Sequence, residues 1–179
     1  MKSILLSLLS YFSIVSFSIA QEKVSGPIIT DFGAVYEVDN TDFKIDTSND
    51  FKAVFDVSTT PVGHKKINAY IETAARFLNM HTQAGVISDK LKIAVVVHSL
   101  AAKDVLTNEA YRKRYNIDNP NLKLVNALLD AGGQVIICGQ SAISRKISKE
   151  ELIDGVQLSL SAMTALVQLQ NNNYRLIQF

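Results

Sequence analysis

Apolar positions along the chain switch between two spacings. Residues 51–58 (FKAVFDVS) are β-rich and stop at Thr59-Thr60-Pro61-Val62-Gly63, a turn composition. Over 64–84, Ile67, Tyr70, Ile71, Ala74, Ala75 and Leu78 recur at helical spacing on one face, and Gly85 stands where a C-cap belongs. Residues 91–98 (LKIAVVVH) hold an unbroken apolar run from Ile93 to Val97, the pattern of a strand buried on both faces and usually parallel. A mixed helical and loop connection over 101–115 leads to the turn Asn119-Pro120-Asn121. A helix over 122–131 follows, closed by Gly132-Gly133. Residues 134–138 (QVIIC) are the third strand. The polar connection 141–155 contains Ser148-Lys149-Glu150-Glu151, which resembles a capping box. Residues 156–161 alternate apolar and polar as an edge strand does. A helix over 161–172 and a short strand over 174–179 complete the chain. Five strands separated by helices predict a three-layer α/β domain with a mainly parallel sheet and right-handed crossovers.

The first residues follow a different pattern. Lys2 provides a short positive region, residues 4–19 are apolar apart from Ser and Tyr, and Ser18-Ile19-Ala20 has small residues at the two positions a signal peptidase reads. Residues 1–20 therefore read as an export signal cleaved before Gln21. The stretch is short for a membrane span of about 20 apolar residues, and no cysteine follows it to carry a lipid. An uncleaved anchor is the alternative. Cleavage places the protein in the periplasm of a bacterium, or makes it secreted, with no membrane contact afterwards. Residues 21–50 are polar and turn-rich and read as an N-terminal arm. Ile28, Ile29, Phe32, Val35 and Tyr36 would anchor it to the domain or to another subunit. The α/β domain is 51–179.

Composition narrows the function classes. With 47% hydrophobic residues and a net charge of +1, a disordered chain is excluded. The near-neutral charge, the absence of Trp and the lack of a basic stripe interleaved with aromatics give no surface for nucleic acid. One cysteine excludes an intramolecular disulfide and a Cys-rich zinc site. His64, His81 and His98 are spaced too widely for ligands on one helix, so no metal is expected and no cofactor is called for. Ser141 and Ser161 lie outside any Gly-x-Ser-x-Gly. Asp56 and Asp104 fall near the carboxyl edge of the sheet with no evident partner.

Six short motifs occur in one order: Gly63-His64-Lys65-Lys66-Ile67-Asn68, the run Glu72-Thr73-Ala74-Ala75-Arg76-Phe77-Leu78-Asn79-Met80-His81, Val95-Val96-Val97-His98, Asn119-Pro120-Asn121-Leu122, Cys138-Gly139-Gln140-Ser141-Ala142, and Ser159-Leu160-Ser161-Ala162-Met163-Thr164-Ala165. Together they resemble the DsrE/DsrF-like family, and more narrowly its exported, single-domain branch, over about residues 26–179. The resemblance implies a three-layer α/β/α fold with five parallel strands in the order 4-3-2-1-5. It also implies a homo-oligomer, often a trimer or hexamer. Characterised members carry sulfur as a cysteine persulfide, in sulfur oxidation and in tRNA thiolation, and work in the cytoplasm.

Cys138 is the reactive candidate. It ends a buried strand, and Gly139 after it permits close approach of a backbone or ligand. Backbone N–H groups at the start of the following segment favour a thiolate. Gln140, Ser141 and His98, which ends the preceding strand, would supply hydrogen bonds. The sulfur would come from a small sulfur species or a partner protein. The alternative is a non-catalytic oligomeric module in which Cys138 is a small buried packing residue. An odd cysteine also permits a bridge between subunits. In the order 4-3-2-1-5 the topological switch lies between strands 1 and 5, which points instead to the turn carrying His64 and Lys65 as an anion site.

Overall fold

The computed structural model describes residues 21–61 and 63–178; the export signal expected over 1–20 lies outside the described residues. Hydrophobic runs form five strands: β1 (Phe51–Val57), β2 (Leu91–Val97), β3 (Gln134–Cys138), β4 (Gln157–Ser159) and β5 (Arg175–Ile177). They pair in parallel in the order β4-β3-β2-β1-β5, which is the expected order. The helices are α1 (Ala69–Gln83), α2 (Asn108–Tyr115), α3 (Leu122–Asp130), α4 (Gly139–Ser144) and α5 (Ala162–Asn171). A 3₁₀ segment, Ser99–Val105, leads out of β2. The Ser148 capping box forms as the sequence suggests, on the 3₁₀ turn Lys149–Glu151.

Alternate residues of each strand face opposite layers. Ala53, Phe55 and Val57 of β1, with Ile93, Val95 and Val97 of β2, pack under α1 and α3. Val54, Ala94, Val96, Ile136 and Cys138 face the other way, where α5 covers them with Ala162, Ala165 and Leu169. The two faces are unequal, and Cys138 belongs to the thinner one.

Helix α1 begins five residues later than the apolar spacing suggests. Asn68 is fully buried, and its side chain accepts from the Tyr70 amide at 3.0 Å, which makes it the N-cap. Its own amide donates to Asn121 Oδ1 at 2.7 Å, so the chain before it is drawn away from the helix axis and residues 64–67 remain a turn. Side chains of α1 anchor the arm: Gln83 Nε2 donates to the Gly26 carbonyl at 2.7 Å, and Glu72 Oε1 accepts from the Gly33 amide at 3.2 Å. Asn79 Nδ2 donates to the carbonyls of Ile29, Phe32 and Gly33, and its Oδ1 accepts from the Ile29 amide. Gly33 lies so close to α1 that a Cβ would meet the Ala75 carbonyl carbon at 2.5 Å, and its φ of +71° suits glycine alone.

Candidate functional site

The carboxyl ends of β1, β2 and β3 bring the chemistry together. Cys138 is the last residue of β3 and stands immediately before α4. It pairs in register with Ser159 of β4. Gly139 allows this close approach, because a Cβ there would meet the Ser159 carbonyl oxygen at 2.4 Å. Cys138 is 6% exposed. Burial pushes it up, but the amides of Ser141, Ala162 and Gln140 and the Ser141 hydroxyl outweigh that. The thiol is held below its ordinary value.

Two of those donors come from the expected motif, Gln140 and Ser141. The third does not. The Ala162 amide opens α5, which the Cys138–Ser159 register sets beside the end of β3. Gln140 is exposed, and its Nε2 donates to the Leu160 carbonyl at 3.3 Å, tying α4 to the start of α5. No side-chain signal marks Ala162: an amide contribution is invisible in residue identity.

His98 follows β2 and is part of the same edge. Its Nε2 lies 2.9 Å from Asp56 Oδ1, and its Nδ1 lies 3.0 Å from Ser99 Oγ. Gln178 Nε2 donates to the second Asp56 oxygen at 3.1 Å. Asp56 therefore has partners that the sequence did not reveal. The visible signal was a single carboxylate near the end of a mostly apolar strand, and the β1–β2 register brings His98 to it. Ser99 adopts φ +50°, and its amide donates to Ser141 Oγ at 2.9 Å.

His64 and Lys65 do not join this group. Lys65 is exposed in the turn before α1, and the exposed His64 ring stacks on Tyr115 at 4.0 Å between centroids. Beneath that turn lies a second, closed cluster. Asp104 is fully buried and accepts from Asn68 at 2.8 Å, from Asn121 at 3.2 Å and from Lys103. Lys103 also donates to Thr60 Oγ1 at 3.0 Å. Asp104, expected to stand alone, is paired. The third histidine, His81, is half-buried between Phe77 and Phe51. A cavity of about 840 Å³ between the arm and the end of α1, lined by Tyr36, Val38, Phe43 and Met80, shares no residue with the Cys138 group. Among the described residues no group of three or more His, Cys, Asp or Glu is placed to hold a metal ion, and no helix is long and apolar enough to cross a membrane.

The DsrE/DsrF-like family model matches residues 52–179. The chain belongs to the DsrE/DsrF-like family. Two solved structures share its fold. The protein of unknown function MTH1491 from Methanobacterium thermoautotrophicum is 17% identical, with a TM-score of 0.50, over 73% of this chain and 100% of that one. The ychN protein from E. coli is 19% identical, with a TM-score of 0.53, over 72% of this chain and 99% of that one. No curated protein matches. As a DsrE/DsrF-like protein the chain carries the five-stranded sheet of the family, with Cys138 at the end of its third strand.

Proposed function

We propose that this DsrE/DsrF-like protein is an exported sulfur carrier that holds a persulfide on Cys138. The observation that supports the reading is the place of one sulfur, at the end of a buried strand and the start of a helix. Cys138 is almost fully buried at the N-terminus of α4, and backbone amides at the starts of α4 and α5 favour its charged form over the cost of burial. A packing cysteine has no need of such donors, whereas a thiolate or persulfide anion does. The step is a transfer between sulfurs. The Cys138 thiolate attacks the sulfane sulfur of a donor persulfide, R–S–SH. A new S–S bond forms as the donor's breaks, and the donor leaves as RS⁻. No oxidant or reductant is consumed.

Exposed Ile143, Leu160 and Met163 stand on the segments that carry these amides. An exposed apolar surface of this kind suits a protein partner. It supports assembly into a homo-oligomer, a trimer or hexamer, with the thiol near subunit boundaries. The N-terminal signal supports a periplasmic or secreted location.

The mature chain incubated with a small-molecule persulfide should gain the mass of one sulfur atom, removable by a thiol reductant. Cys138→Ser should not. Equal loading of the variant would defeat the reading. The rival reading, a non-catalytic module with Cys138 as packing, draws on its 6% exposure. It expects no loading and no alkylation until the protein unfolds.

A further inference from the structure

Donor and acceptor roles along the carboxyl edge follow from what each group is able to do. The Asp56 carboxylate only accepts, so the His98 Nε2 that faces it at 2.9 Å carries a proton. In the neutral ring Nδ1 then accepts, and its partner at 3.0 Å is the Ser99 hydroxyl. Ser99 is thereby held by its side chain in a left-handed conformation that a non-glycine residue rarely adopts. In that conformation its amide points at Ser141 Oγ, 2.9 Å away. One lone pair of Ser141 Oγ is filled by this amide. Cys138 is the N-cap of α4 and Ser141 lies in its first turn, which sets the hydroxyl and its single proton on the turn nearest the sulfur; a thiolate accepts such a proton more strongly than a thiol does.

We infer that Ser99 is a positioning residue: pinned by the His98–Asp56 pair, it aims the Ser141 hydroxyl at the Cys138 sulfur. The pair thus governs the thiol from two residues away. The inference rests on the sulfur-carrier reading for its purpose, not for its geometry. Charges on the surrounding elements do not replace this arrangement. β4 and α5 carry no charged residue, and Lys103 and Asp104 on the 3₁₀ segment bind each other. Lys92 of β2 lies at the opposite end of the sheet, and Arg145 and Lys146 after α4 are exposed. The carboxylate left near the edge is Asp56, held by His98 and Gln178.

The test is the pH dependence of Cys138 alkylation by iodoacetamide on the folded mature chain, with folding of each variant checked by thermal melting. Ser141→Ala should raise the midpoint by about one pH unit, leaving about tenfold less thiolate at a pH below both midpoints. Ser99→Val, whose β-branched side chain disfavours positive φ, should move it most of the way there. Ser99→Gly keeps the N–H and adopts that φ freely, so it should stay near wild type. The double variant Ser99→Val/Ser141→Ala should go no higher than Ser141→Ala alone. If Ser99→Val does not fold, His98→Ala, which releases the Ser99 side chain, should raise the midpoint by a smaller step.

An unchanged midpoint in Ser141→Ala overturns the inference. So does a shift in Ser141→Ala with none in Ser99→Val or His98→Ala. Persulfide loading of the wild type is read separately. Loading with no shift in Ser141→Ala defeats the inference and spares the carrier reading; the expected shifts without loading do the reverse.

Discussion

At the carboxyl edge of one sheet, two polar clusters are built differently. Around Asp104, donors and acceptors balance: three side chains donate to the carboxylate, and Lys103 finds Thr60 as well. Asn119 joins by donating to the Asp104 and Leu106 carbonyls at 3.0 and 2.6 Å. The groups are buried, and what they hold is the turn before α1 and the start of α3. Around Cys138 the balance is uneven. Amides at the starts of α4 and α5 favour the charged form of an atom that is a weak acceptor as a thiol and a strong one as a thiolate. A closed cluster of paired groups is architecture. A cluster whose donors gain most when one atom becomes charged is prepared for that charge.

The difference is sharpest in what substitution should do. Asp104→Ala leaves Lys103 buried without its partner, and should cost about 3–5 kcal/mol. A urea titration reads the loss as a fall in midpoint. Replacing both, Lys103→Met with Asp104→Leu, should recover a large part of it, because the unpaired charge is gone. A small effect of Asp104→Ala would mean that the cluster is not what holds this edge.

Gly139→Ala joins the two issues, since its methyl would press on the Ser159 backbone. Overpacking of this kind costs about 1–3 kcal/mol. Gly63→Ala, where a Cβ meets nothing within 4 Å, should lose only the cost of its positive φ, about 1 kcal/mol. Equal losses at both positions would remove the close approach of β4 as the reason for Gly139.

Cys138→Ser should be mild in stability and specific in pH dependence. The folded thiol is held below its unfolded value, so the unfolded chain binds more protons between the two values. Stability from this group is full above the unfolded value and is lost as pH falls through the folded one. Denaturation measured across that window should show a rise with pH in wild type that Cys138→Ser lacks. The smallest effect belongs to His81. Burial lowers it from 6.5, against the opposing hydrogen bond to the Phe77 carbonyl. Its contribution is therefore full above 6.5 and declines as pH falls below it. His81→Gln should flatten stability in that range and leave Cys138 alkylation unchanged.

Much of this was legible along the chain. The unbroken apolar run Ile93–Val97 of β2 is buried on both faces, which places it in the middle of a parallel sheet, and β1 and β3 read as strands beside it. The Cys-Gly at the end of β3 was readable as a close approach, and Gly139 meets the β4 backbone. The start of α1 was less so. Apolar spacing extends back through Ile67, but the cap depends on Asn121, 53 residues away.

Residue types and their periods therefore set the layers, the strands and the position of the thiol, because side-chain burial follows spacing along the backbone. They did not set the company the thiol keeps. The partners of Asp56, Asp104 and Ser141 lie on other strands and connections, and the Ala162 contribution is a main-chain amide common to nearly every residue type. Hydrogen bonds reach about 3 Å, so a shift of one residue in strand register would dissolve these groupings while leaving the hydrophobic pattern along each strand as it was. Only the packed sheet, with β1, β2, β3 and β4 aligned at their carboxyl ends, decides which polar atoms meet.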